Sequence, residues 1–436
     1  MPRPGPNDIE EGGFMYRPGG LHPVYIGDLF NNGTYEVLCK LGYDEHSTEW
    51  LVMDRTKDPD DIHRFMALKI AAAEDEKFSS AEIDILADLQ CKAYIEEISV
   101  HYKGLKFIRH LFDDFTHDGP NGTHACLVFE PMIESLETFH SSFREGSIPL
   151  LLMQRFTAQI ALALGRAHWL GIIHADVQPS SIYVKFQSNF RIASKCVEVP
   201  VPGVPHQDRS ERCYTPIKST RMRRFYFRGN VGPPDKGWNF DVCLGGWGHA
   251  SRVTSKDRLN SQPIPFLSPE VREMMPMVLI GAPWDTRTDW WSLGVTLIEI
   301  FAQNRRHPGA SSEREEMNSN HHLLQMQALF GHFRTEFLQR GDPDRIRTMF
   351  NGYGRVLSTS SLGGWETRPQ MSNKWQAEAR CFKEAGFWLF VVRLMQIHPE
   401  DRPKGVGEVL RDRWIMADGD NWIARELADY FPCPLP

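Results

Sequence analysis

The feature that most constrains this chain is a change of hydrophobic period near Pro131. Before it, "YEVLCKLG", "STEWLVMD" and "RFMALKIA" are short runs of alternating apolar and polar residues bounded by polar turns. A period of two puts alternate side chains on opposite faces of an extended chain, so each run predicts a strand with a buried face. "SSAEIDILADL" follows with Ile83, Leu86 and Leu89 at helical spacing, and then "FIRHLFDDFTHDG" and "HACLVFEPM", joined at the turn "GPNG", predict two more strands. The expectation is a small sheet with one helix packed on it. After Pro131, "LLMQRFTAQIALALGRAHWLG", "DWWSLGVTLIEIFAQ" and "FWLFVVRLMQI" carry apolar faces too wide to meet water, which predicts mutually buried helices. The expected fold class is therefore α+β in two lobes, a small strand-rich one and a larger helical one.

Composition narrows the functional classes. The chain has 436 residues, 41% of them hydrophobic, enough for two well-buried cores. A net charge of -7 argues against a general nucleic-acid binder, and the basic run "RMRR" (221–224) reads as solvated surface. The 8 cysteines are scattered without a CxxC pair, so neither a zinc site nor a disulfide framework is suggested, and a reducing compartment fits. "MPRPGPNDIEEGG" lacks the basic-then-apolar pattern of a signal peptide, and no apolar run reaches the ~18 residues of a membrane span. The expected location is cytoplasm or nucleus, with no membrane and no direct nucleic-acid partner. Residues 1–20 predict an extended or disordered lead-in, about 186–241 a surface insert rich in proline and charge, 303–320 a polar loop and 417–436 a tail; no internal repeat is found. His321 and His322 read as surface.

Taken in order, the motifs of residues 21–416 resemble the eukaryotic protein kinases, and the flanks resemble their SR-protein kinase branch of fungal type. "YRPGGLHPVYIGDLF" looks like that branch's lead-in, "LGYDEHSTEWLV" its glycine loop, "MALK" its ATP-lysine strand and "EIDIL" its regulatory helix. "LVFEPM" is similar to its hinge, "IIHADVQPSSI" to its catalytic loop, "LGGWG" to its metal loop, "LSPEV" to its substrate-lobe anchor and "VLIGAPWDTRTDWWSLG" to its central helix, and "HPEDRP" completes the set. The resemblance implies an N-lobe and hinge over 21–132 and a C-lobe over 133–416. It also implies ATP as ligand, held by Gly42, Ala67, Lys69, Glu130 and Met132, with Glu82 pairing Lys69 and Asp176 as catalytic base. Asp289 is expected to hold the catalytic-loop backbone, Glu270 to pair with Arg402, and Leu86, His174 and Trp247 to belong to the apolar stack.

The departures from that pattern fall around one pocket. Gly246 stands at the family's magnesium aspartate and Ser181 at its magnesium asparagine, so both usual metal ligands are gone and no metal residue is assigned; Asp241, five residues upstream, is a poor substitute. Gln178 replaces a lysine, Asp44 the second loop glycine, and Ala175 an arginine that pairs with an activation-loop phosphate. Glu49 stands where a small apolar residue covers the adenine and Tyr183 where an aliphatic one supports it. An unpaired carboxylate buried at 49 would cost several kcal/mol unless it turned to solvent. Retained fold-holding residues beside damaged chemistry favour a pseudokinase that acts as a scaffold or allosteric partner, with ATP bound weakly or not at all. The alternative is an active serine/threonine kinase of SR-protein kinase type, using magnesium and phosphorylating Arg/Ser-rich proteins.

Overall fold

The computed structural model describes residues 10–91, 100–139, 143, 148–185, 214, 216–220, 240–253, 276–282, 284–301, 323–324, 326–327, 330–357 and 385–416. Two compact units divide the chain: the first takes 1–91, 108–139 and 183–248, the second 92–107, 140–182 and 249–436.

The first unit is built on an antiparallel sheet of β1 (Leu29–Phe30), β2 (Tyr35–Tyr43), β3 (Ser47–Asp54), β4 (Phe65–Ala71), β5 (Leu111–Gly119) and β6 (Gly122–Phe129), in the order β1-β2-β3-β4-β6-β5. Each strand-like run of the sequence becomes one of these strands. Register sorts the side chains. Trp50 lies opposite Leu68, and Val128 opposite Leu68 on the other side, so these share one face; Glu49 lies opposite Lys69, and Ala67 opposite both Leu51 and Phe129, so these share the other. The first face is sealed by Val24, Phe30 and Ile217. The second carries the candidate site.

Helix α1 (Glu76–Gln90) is fixed at its end by Gln90, whose amide nitrogen donates to the carbonyl of Leu111 at 3.0 Å and whose amide oxygen accepts from the Leu111 N–H at 2.6 Å. This locks the helix against β5 and sets the height at which Glu82 meets the sheet.

The lead-in is folded where it is described. Residues Gly13–Met15 form a helical turn, and Glu11 and Glu10 both pair with the ammonium of Lys40, the latter at 3.2 Å, although the Lys40 side chain is fully buried. A lysine inside a sheet edge needs its charge compensated, and two glutamates from the lead-in supply that. Part of the expected insert also packs here: the Tyr214 hydroxyl donates to the carbonyl of Val24 at 2.7 Å, the Tyr214 ring lies 4.3 Å from that of Tyr16, and Thr220 N–H donates to the Lys40 carbonyl at 2.7 Å. The rest of 186–239, with "RMRR", lies outside the described residues, as do 303–320, His321, His322, Glu270 and 417–436.

A second sheet joins β7 (Glu134–Ser135), which leads into α3 (Leu136–Phe139), to β9 (Ile182–Val184) and β10 (Val242–Leu244) in the order β10-β9-β7. It explains why the division of the chain is not a single cut near residue 132. Pairing of β9 with β7, together with an isolated bridge between Ile108 and Leu244, keeps 183–248 with the first unit.

The second unit is helical. Every residue from Leu152 to Ala167 of α4 (Leu150–Trp169) is buried, as its wide apolar face requires. Helix α2 (Val100–Gly104) presses against it so closely that a Cβ at Gly104 would stand 2.2 Å from the Leu162 carbonyl oxygen. That contact draws α2 into this unit. Strand β8 (Ile172–Ile173) pairs with β11 (Ser251–Arg252), and α5 (Arg287–Phe301), α6 (Ala385–Leu394), α7 (Val406–Leu410) and α8 (Arg413–Met416) are among the described helices that follow; α6 packs on α5, and α7 and α8 on α4.

Candidate functional site

Lys69 stands on β4 with its ammonium 2.6 Å from Glu82 Oε2 on α1, its side chain a fifth exposed and that of Glu82 nearly buried. Burial alone would lower the Lys69 pKa, but Glu82 and, secondarily, Asp44 outweigh it and hold the lysine above its ordinary range. The cation is therefore fixed on the second face of the sheet. Gly42 on β2 lies opposite Glu49, and Ala67 two residues before Lys69 on the same face. Asp44 is spent on its own turn: its carboxylate accepts from His46 N–H at 2.8 Å and Ser47 Oγ at 3.0 Å, and its N–H donates to the Ser47 carbonyl at 2.9 Å.

Glu49 is neither unpaired nor turned to water. It accepts from the Arg109 guanidinium, whose carbon lies 4.6 Å from the Phe129 ring centroid and 4.7 Å from that of Tyr183. The Arg109 side chain is 6% exposed and that of Glu49 25%, so the pair sits with its cation inside and its anion at the rim. Burial would lower the Arg109 pKa, yet Glu49 above all holds it up, and the Tyr183 hydroxyl is pushed up to about 12 by burial. Arg109 N–H also donates to the Leu244 carbonyl at 2.9 Å, which anchors the residue's backbone. The residue was not singled out from the sequence. Its one signal was a charge inside the apolar run "FIRHLF".

The glycine-rich turn after β10 is tightly packed. A Cβ at Gly245 would come within 2.8 Å of the Tyr183 ring and 3.2 Å of Arg109 Cδ, and Gly246 has φ 73, in the left-handed region that glycine enters freely. At the expected hinge, Glu130 pairs with Lys185 at 3.1 Å, and Met132 Sδ lies 3.8 Å from Cys243 Sγ, whose pKa burial pushes up to about 12. Leu86 and Trp247 are buried in this unit and His174 in the other.

In the second unit the loop after β8 is held by the fully buried Asp289 of α5. One carboxylate oxygen accepts from His174 N–H at 2.9 Å and His168 Nε2 at 2.8 Å, the other from Ala175 N–H at 2.9 Å. These bonds retain Ala175 at φ 64, a left-handed conformation that costs a non-glycine residue about 1–2 kcal/mol. Asp176 follows, 6% exposed, and Gln178 Nε2 stands 2.9 Å from both of its carboxylate oxygens. The glutamine therefore caps the carboxylate from within the same loop. Arg402, whose expected partner lies outside the described residues, donates to the carbonyls of Gln396 at 2.6 Å, Arg287 at 3.2 Å and Ile397 at 3.2 Å.

A magnesium ion, which the resemblance implies, does not fit these groups. Ser181 Oγ is enclosed by its own loop, 3.0 Å from the Asp176 carbonyl, 2.9 Å from that of Gln178, and accepting the Gln178 N–H at 3.1 Å. Gly246 offers no side chain. Magnesium takes carboxylate and other hard oxygen ligands in octahedral array; neither position supplies a carboxylate, and the one hydroxyl oxygen is engaged by its own loop. Among the described residues no helix is long and apolar enough to cross a membrane.

Comparison with known proteins finds protein kinases in both sequence and fold. No family model matches the chain. It is 26% identical over 405 residues to a serine/threonine protein kinase of Aspergillus fumigatus, covering 92% of this chain and 88% of that one. It is also 26% identical over 411 residues to the serine/threonine-protein kinase SRPK of Physarum polycephalum, covering 90% and 88%. To protein kinase dsk1 of Schizosaccharomyces pombe it is 36% identical over 176 residues, 40% of this chain and 31% of that one. A crystal structure of a kinase domain superposes with a TM-score of 0.58 at 16% identity, over 90% of this chain and 98% of that one. The fold is that of a protein kinase domain, and the relatives are serine/threonine kinases that include SR-protein kinases.

Proposed function

We propose that this chain is a kinase-fold protein that works by binding, as a scaffold or allosteric partner of another protein, with weak, magnesium-independent use of ATP or none. The observation that carries the reading is a contrast among the residues expected to do chemistry. The Lys69–Glu82 pair is intact at 2.6 Å, while the position of the metal carboxylate is a glycine and the Asp176 carboxylate is capped by Gln178 at 2.9 Å. Phosphoryl transfer needs the metal to neutralise charge on the phosphates, which a lysine alone does not supply, and at Asp176 a neutral amide stands where the family has a lysine cation.

A second reading is an active serine/threonine kinase of SR-protein kinase type acting on Arg/Ser-rich proteins. It is favoured by the intact ion pair, by Asp289 holding the loop of Asp176, and by the kinase activity named for the relatives. Calorimetric titration with ATP, with and without magnesium, and transfer of labelled phosphate to an Arg/Ser-rich peptide separate the two. The binding reading expects no magnesium-dependent affinity and no transfer. Transfer by the unmodified protein that Asp176→Asn abolishes establishes the kinase instead.

A further inference from the structure

We propose that Arg109 is an internal occupant of the site beside Lys69: its guanidinium, paired with Glu49 and stacked on Phe129 and Tyr183, fills a slot that takes a flat aromatic base when the arginine is absent. The inference deepens the proposed function and rests on it, because it supplies a reason other than the missing metal for weak nucleotide binding.

Shape is the first support. A guanidinium is planar and delocalised, and here it lies over two aromatic rings, 4.6 and 4.7 Å from their centroids, within the range at which a cation is attracted to an aromatic face. The glycine-rich turn closes one side of the slot, since a Cβ on Gly245 would press to within 2.8 Å of Tyr183 and 3.2 Å of Arg109 Cδ. Position is the second support. Register sets Glu49 directly opposite Lys69 and Phe129 opposite Ala67, so the slot adjoins a fixed ammonium suited to an anionic group carried by the same ligand. The ligand class is thus a nitrogen heterocycle bearing phosphate.

The retention of Arg109 is incomplete, which is what an occupant, as distinct from a core residue, would show. Its backbone is tied to Leu244, but its side chain is held by one carboxylate, itself a quarter exposed, and its Nε has no hydrogen-bond partner among the described residues. A buried donor left unmade weakens the occupied state.

The test compares the full chain with Arg109→Ala and with Glu49→Val/Arg109→Val, which removes both charges and so avoids stranding the carboxylate. Adenosine, which needs neither metal nor Lys69, is the first probe, and ATP without magnesium the second; calorimetry reads binding, and circular dichroism with thermal melting reads folding. The expected result is adenosine bound at least tenfold more tightly by either folded variant than by the unmodified protein, with ATP gaining further through Lys69. If the double variant melts cooperatively and binds adenosine no better than the unmodified protein, the proposal is overturned while the scaffold reading stands. Magnesium-dependent transfer by the unmodified protein would overturn the scaffold reading, and an affinity for adenosine unaltered by Arg109→Ala would overturn this one.

Discussion

Removing either member of the Glu49–Arg109 pair should cost more than removing both, and the two single variants should differ from each other. Arg109→Val leaves the Glu49 carboxylate without its partner, but that side chain is 25% exposed and can rehydrate in part, so the loss falls at the lower end of the range for a broken buried pair, about 3 kcal/mol. Glu49→Val strands a guanidinium only 6% exposed between two rings, and the loss rises to about 4 kcal/mol. The double variant leaves no charge, only the volume once filled by the arginine, which costs about 2 kcal/mol as a cavity. Coupling between the sites is then about 5 kcal/mol, well beyond the ~0.5 kcal/mol within which independent sites add. Equilibrium urea unfolding of the four proteins, followed by circular dichroism, measures the cycle. Additive losses, or Arg109→Val being the worse single change, would refute the reasoning that burial of the cation inside and the anion at the rim governs this cluster.

Three other outcomes follow from the structure. Gly246→Asp alone should restore no phosphorylation of an Arg/Ser-rich peptide, because Ser181, Gln178, Asp44 and Glu49 impair separate contacts that act as a unit; restoration needs Gly246→Asp, Ser181→Asn, Gln178→Lys, Asp44→Gly and Glu49→Val to be combined with Arg109→Val, and activity from the single change would defeat this account. Asp289→Asn turns an acceptor of three N–H groups into one that faces some of them with a donor, and should cost about 3 kcal/mol, read as faster amide exchange at 174–176. His22 is pushed down to about 3 by burial, with His124 and His117 adding to the effect, so the fold prefers its neutral form. Its contribution is fully present above the ordinary histidine pKa and is lost as pH falls from ~6.5 towards the folded value; at pH ~4.5 that amounts to about 3 kcal/mol, which His22→Phe should remove from the acid limb of a stability profile.

Chain-local features were determined by sequence alone. The strand-like runs became β2, β3 and β4, although β3 and β4 are buried on both faces and not on the one that alternation predicts, and the wide apolar face of α4 took that helix to the centre of its unit, where its Gln154, Arg155 and Arg166 are buried as well. The Lys69–Glu82 pair was also legible, through motif order and a helix following its strand, and so was the hold of Asp289 on the loop of Asp176. What only tertiary structure decided are the fates of charges whose partners lie far along the chain. Glu49 meets Arg109 across 60 residues, and Lys40 meets Glu11 across 29, because packing sets segments outside the strands, the turn before β5 and the lead-in, against side chains of the sheet that no local period relates to them. A carboxylate read alone at position 49 looks like an unsatisfied burial; once the sheet forms, the same carboxylate holds an arginine over Tyr183. Composition and spacing specify which faces must be buried, whereas the pairing of buried charges depends on the packing of distant segments against one another, which only the completed fold imposes.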